Sequence, residues 1–102
     1  MEPQLSPIEE LYHVSEVDKV RFIGVTTDHA RYDFGVIFTG QFFGKMLVVS
    51  LSSGRAALLD HEDVLDADVL HRILDVDPID AGAVGDFLGT LLPYVPRYEQ
   101  AD

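Results

Sequence analysis

The sequence predicts a single α+β domain over residues 1–102: a four-stranded antiparallel meander sheet packed with a short N-terminal helix and two C-terminal helices. Three observations carry that prediction. Residues 19–59 fall into short runs rich in β-branched and aromatic residues, separated by turn signals. Residues 60–92 switch to a helical spacing of apolar residues. The charge divides at the same place: residues 1–59 hold 7 acidic and 5 basic side chains, and residues 60–102 hold 11 acidic and 2 basic ones. With 102 residues and a 47% hydrophobic composition the chain is long enough for one core, which neither half could build alone.

The first 18 residues are read as the short helix and its lead-in. Ser6 is placed to cap the helix, Pro7 suits its first position, and Glu9 completes a capping box. Ile8, Leu11 and Tyr12 then share one side, and Val14 to Asp18 lead into the sheet.

The strands are expected at Lys19–Thr27, Arg31–Thr39, Lys45–Ser52 and Arg55–Leu59. They are joined by Asp28-His29-Ala30, by Gly40–Gly44 and by Ser53-Gly54, where Gly54 can take positive φ. Pairing Thr27 with Arg31 sets Phe22 opposite Val36, Gly24 opposite Phe34 and Thr26 opposite Tyr32. That core face continues through Phe38, Met46 and Val48. The other face then carries Ile23, Val25, Ile37, Leu47, Val49 and Leu51, diluted by Arg21, Asp33 and Gly35. A sheet with one solvated face alternates more cleanly than this. Both faces are therefore expected to be covered, one by helices and the other by more helix or by another chain, which points to a homodimer.

The acidic half begins at Asp60, read as a helix N-cap with Asp63 in the first turn, followed by the stripe Leu65, Val69, Leu70, Ile73 and Leu74. Asp77-Pro78 breaks that helix. A last helix is expected over 80–92, with Val84, Phe87, Leu88, Leu91 and Leu92 on one face. Its interior Gly82, Gly85 and Gly89 each cost roughly 1 kcal/mol against alanine, so close approach to another element is the expected reason for them. Pro93 and Pro96 end the helix, and residues 93–102 are read as a tail.

Several function classes are disfavoured. A net charge of −11 argues against nucleic acid as a partner. Apolar stretches of about five residues fall far short of the ~20 that a membrane span needs, and no leader-like segment is seen. The chain has no cysteine, which removes disulfides, thiol catalysis and zinc–thiolate sites and fits a reducing, cytoplasmic setting. None of His13, His29, His61 and His71 has a second His at chelating spacing, so no metal is expected. The run Asp60-His61-Glu62-Asp63 with Asp66 and Asp68 lacks the pattern of a calcium loop and reads as helix-dipole complement. Ser50, Ser52 and Ser53 do not sit in a nucleophile elbow, and Gly40 to Lys45 lacks the spacing of a phosphate loop. No cofactor and no catalytic residue is expected.

Five residues remain as candidate interface or ligand contacts. Phe42 and Phe43 sit in a connection, either folded under the sheet edge or anchoring a partner. Arg31 and Asp33 share a sheet face beside Gly35, as a structural pair or as a ligand or subunit contact. Arg55, in the turn Ser52-Ser53-Gly54-Arg55, could hold an anion with backbone amides. The leading functional reading is a non-catalytic interaction or regulatory module that self-associates, with a further protein partner left open. The alternatives are a small-molecule or anion binder near Arg31, Gly35 and Arg55, and an acidic decoy for a basic protein surface.

Val20-Arg21-Phe22-Ile23-Gly24, Arg31-Tyr32-Asp33-Phe34, Phe42-Phe43-Gly44-Lys45 with Leu47-Val48, and Gly54-Arg55-Ala56-Ala57-Leu58-Leu59 together resemble a domain-of-unknown-function family. Its members are small cytosolic proteins of Firmicute bacteria. The resemblance covers roughly residues 18–75 and extends loosely through the last helix. It implies a compact α+β protein of the bacterial cytoplasm with no assigned activity, and no site residue carries over from it.

Overall fold

Four antiparallel strands pair in chain order: β1 (Lys19–Thr26), β2 (Arg31–Phe38), β3 (Met46–Ser50) and β4 (Ala56–Leu59). Two helices follow, α1 (Ala67–Leu74) and α2 (Ala81–Leu91), each preceded by a single 3-10 turn, Asp63–Leu65 and Pro78–Asp80. The computed structural model describes residues 7–42 and 44–92. The meander and the two C-terminal helices are as the sequence predicts. The N-terminal helix is not: residues 7–18 form neither helix nor strand. Its intended stripe is left at the surface, with Ile8, Leu11 and Tyr12 exposed by 83%, 87% and 71%. A helix of two turns cannot offset its nucleation cost without packing. Ser6, the expected cap, lies outside the described residues, as does the tail 93–102.

The first hairpin differs from expectation by one residue, and the difference inverts a strand. Thr26, not Thr27, pairs with Arg31, so Phe22 lies opposite Gly35, Ile23 opposite Phe34 and Val25 opposite Tyr32. Thr27 belongs to the turn. Its amide donates to the Ala30 carbonyl at 2.8 Å, and its hydroxyl oxygen accepts from the amides of His29 and Ala30 at 3.0 and 3.1 Å. Because side chains alternate, a one-residue change of pairing moves the whole apolar set of β1 to the other face. Ile23 and Val25 therefore pack against the core and Phe22 is turned out, 76% exposed. Arg21 moves with them: with Lys19 it reaches over the Phe38 ring, both cations 5.9 Å from its centroid.

The core lies between one face of the sheet and the helices. Tyr32, Phe34, Val36, Val48 and Leu59 meet Val64, Leu70, Leu74, Val84 and Leu88, all nearly solvent-free. Asp60 and Asp63 cap the first 3-10 turn reciprocally: the Asp60 carboxylate accepts from the Asp63 amide at 2.8 Å, and the Asp63 carboxylate accepts from the Asp60 amide at 2.9 Å. Asp66 then adopts extended backbone and caps α1 by accepting from the Asp68 amide at 3.0 Å. The single helix expected from Asp60 is therefore divided, and Leu65, assigned to its stripe, is 61% exposed. Asp75 ends α1 in the left-handed region at φ 60°, and the Val76 amide returns to the Leu70 carbonyl at 3.1 Å.

The glycines of α2 divide by role. A Cβ on Gly85 would stand 2.3 Å from the Val64 carbonyl oxygen and 3.1 Å from Leu70 Cδ1, so α2 can lie on the 3-10 turn only because that side chain is missing. Gly82 faces open space. Lys45 ties the sheet to the Asp60–Asp63 cap, its Nζ 2.9 Å from Asp63 and 3.7 Å from Asp60.

Candidate functional site

The strand register builds the second face of the sheet from two rows that cross all four strands. One is Val20, Ile37, Leu47 and Leu58; the other is Phe22, Gly35, Val49 and Ala56. Both rows are apolar. The helices pack on the opposite face, among the buried residues of the core. Val20 and Phe22 are 44% and 76% exposed, Ala56 is exposed as well, and Ile37, Leu47, Val49 and Leu58 are half-buried. The Phe22 ring lies across the backbone of Gly35, its Cε1 3.6 Å from where a Cβ would stand, with Val49 at 4.0 Å on the far side. An aromatic laid over a cross-strand glycine covers the notch that the glycine leaves.

A third row is polar. Arg31 holds Asp33 with both arms of its guanidinium, Nε and Nη2 each at 3.1 Å. The bond to Asp33 raises the arginine's already high pKa further. The pair leans over Gly24, where a Cβ would meet Asp33 Oδ1 at 2.8 Å. Gly24, and not Gly35, is therefore the residue that admits this ion pair. At such exposure the pair contributes little to stability and serves mainly to orient the two side chains.

The other expected contact residues sit apart from these rows. Arg55 donates from Nη1 to the Arg72 carbonyl at 2.8 Å and so satisfies a carbonyl in the last turn of α1. Phe42, 44% exposed, lies in the β2–β3 connection and outside the buried cluster; Phe43 lies outside the described residues. Of the three residues assigned to anion binding, Gly35 is covered by Phe22 and Arg55 is engaged at the helix end. Arg31 alone borders a cleft of about 340 Å³, together with Tyr32, Ser52, His71, Asp75 and Asp77. Two polar groups there are occupied: His71 Nδ1 is 3.0 Å from the Val76 carbonyl, and the Tyr32 hydroxyl accepts from the Asp77 amide at 3.1 Å.

That hydroxyl also reaches Asp80, the one buried carboxylate among the described residues. Asp80 is 4% exposed and accepts from the Tyr32 hydroxyl at 2.7 Å and the Thr27 hydroxyl at 2.9 Å, with His29 Nδ1 at 3.7 Å. Burial pushes its pKa up, but the two hydroxyl bonds and the nearby histidine outweigh that and hold it below the ordinary carboxylate range. Burial and the Asp80 bond push the Tyr32 phenol the other way. An ionised carboxylate already accepting from two hydroxyls is a structural tie between the first turn and the start of α2, and it is poorly placed to take up a proton.

Sequence reasoning missed Val20 and Phe22 as surface residues. The available signal was the glycine: a register that sets Phe22 on Gly35 and Phe34 on Ile23 is better packed than one that sets Phe34 on Gly24.

Fold and surface together define a small α+β module in which, among the described residues, the helices pack on one sheet face and the second face is apolar and carries no helix. The chain belongs to the SAV0927-like family, whose model matches residues 11–90. This is a family without an assigned function, and the match extends beyond the 18–75 of the resemblance. No curated protein matches the chain. Among the described residues no helix is long and apolar enough to cross a membrane.

Proposed function

We infer that this protein is a non-catalytic interaction module of the Firmicute cytoplasm that self-associates through the open face of its sheet. The observation that carries the reading is the pair of apolar rows across all four strands, which meet no helix among the described residues and include a phenylalanine 76% exposed. A monomer gains nothing from that exposure, whereas a second copy with the same face buries it. The absence of cysteine and the resemblance support the cytoplasmic setting. The acidic-decoy alternative is weakened by Asp60, Asp63, Asp66 and Asp77, whose carboxylates cap their own backbone.

Sedimentation equilibrium tests the reading. The wild-type chain should run at twice its 11.3 kDa mass, and a Val20→Ser/Phe22→Ser variant should run as a monomer with an unchanged circular dichroism spectrum. A monomeric wild type at millimolar concentration would refute it.

A further inference from the structure

We propose that the N-terminal arm of each copy, residues 7–15, crosses onto the open sheet face of a second copy, so that two chains clasp one another reciprocally. The proposal rests on the self-association inferred above and names the element that completes it.

The face is too small by itself. Four strands at about 4.8 Å spacing and two apolar side-chain rows about 7 Å apart make a patch of roughly 270 Å². Two such patches bury roughly 540 Å² together, short of the ~1,200 Å² at which specific interfaces become stable. The arm carries the missing apolar area. Leu11, Tyr12 and Val14 in the arm and Val17 at its root are exposed by 87%, 71%, 55% and 102% along a segment without helix or strand. The nine residues 7–15 ahead of Glu16 can reach ~30 Å when extended, about one and a half times the width of the four strands.

The exit of the arm is fixed as well. Glu16 Oε1 accepts from the Thr39 hydroxyl at 2.9 Å and from the Gly40 amide at 3.1 Å. This pins the arm at the end of the sheet where β1 begins and β2 finishes, and residues 8–17 are exposed rather than laid on the chain's own sheet. A copy related by a two-fold axis can bring its face to that end, take the arm and return its own. The family match begins at residue 11, so Leu11, Tyr12, Val14 and Val17 fall within it and Ile8 does not.

The chain lacks cysteine, which makes the test direct. A tagged chain with Leu11→Cys is mixed with an untagged chain with Val49→Cys and oxidised. The clasp expects a disulfide between the two chains. A full-length variant with Leu11, Tyr12, Val14 and Val17 all changed to Ser should keep its fold and dissociate roughly 100-fold more readily. A monomeric wild type removes the self-association and the clasp with it. A dimeric wild type overturns the clasp alone if the Ser variant associates equally well, or if a Leu11→Cys/Val49→Cys double variant closes its disulfide within one chain.

Discussion

The two faces of this sheet are made from the same four strands and the same classes of residue, yet they behave as different materials. On the covered face Phe34 and Val48 are 1% and 0% exposed, and the buried carboxylate of Asp80 has two hydroxyl donors. On the open face a phenylalanine of the same hairpin stands 76% exposed over a glycine. Composition does not distinguish the two faces. Pairing does, and pairing is decided in a turn. An apolar strand residue therefore reports burial only once its register is known.

The comparison can be broken most severely at its centre. Phe34→Ala should cost about 3–5 kcal/mol, since the side chain is wholly enclosed and leaves a cavity; urea denaturation measures it. Gly85→Ala comes next, at roughly 2–3 kcal/mol, because a methyl cannot share space with the Val64 carbonyl and α2 must move away. Gly82→Ala on the same helix, facing open space, should be neutral or stabilising. Tyr32→Phe should cost about 1–2 kcal/mol, since it leaves the Asp77 amide and Asp80 each short of one partner.

Tyr32→Phe also sharpens the acid response. Asp80 and Asp63 both have folded-state pKa values below the ordinary 3.8. For Asp63, burial raises the value but the Lys45 bond and the Asp60 amide more than reverse it. Depressed carboxylates stabilise the fold fully well above pH 3.8, and that contribution is lost as the pH falls through their folded values. The acid-unfolding midpoint of Tyr32→Phe should therefore move to higher pH than wild type, as followed by circular dichroism. The smallest effect on folding belongs to the open face: Phe22→Ser should shift monomer stability by under about 0.5 kcal/mol.

Much of the architecture was legible because its signals are local. Alternation located the strands, Asp77-Pro78 broke the helical half, Gly54 took its positive φ of 77°, and the α2 stripe placed Val84, Leu88 and Leu92 in the core. The N-terminal helix failed because Ser6, Pro7 and Glu9 describe only how a helix would start, and its stripe of Ile8, Leu11 and Tyr12 stays exposed. The register failed because Thr27 suits a strand by propensity, and its place in the turn rests partly on Asp80, 53 residues away. Asp60 and Asp66 are equally good caps one helical turn and a half apart, and the chain uses both. At the candidate site, the Arg31–Asp33 pair was legible from alternate spacing on one strand. The apolar rows beside it were not, because they exist only in the observed register.

The connection 27–30 acts as a parity switch for the molecular surface. Most exposed loops absorb an inserted or deleted residue at little cost, and lineages vary them freely. Here a single-residue change would exchange Phe22 for Ile23 and Val25 at the surface, unless the strand's own pattern shifted by one position with it. Length in this connection and pattern in β1 must therefore be inherited together. A relative with one residue more or fewer in this connection should carry its β1 apolar residues in the opposite phase.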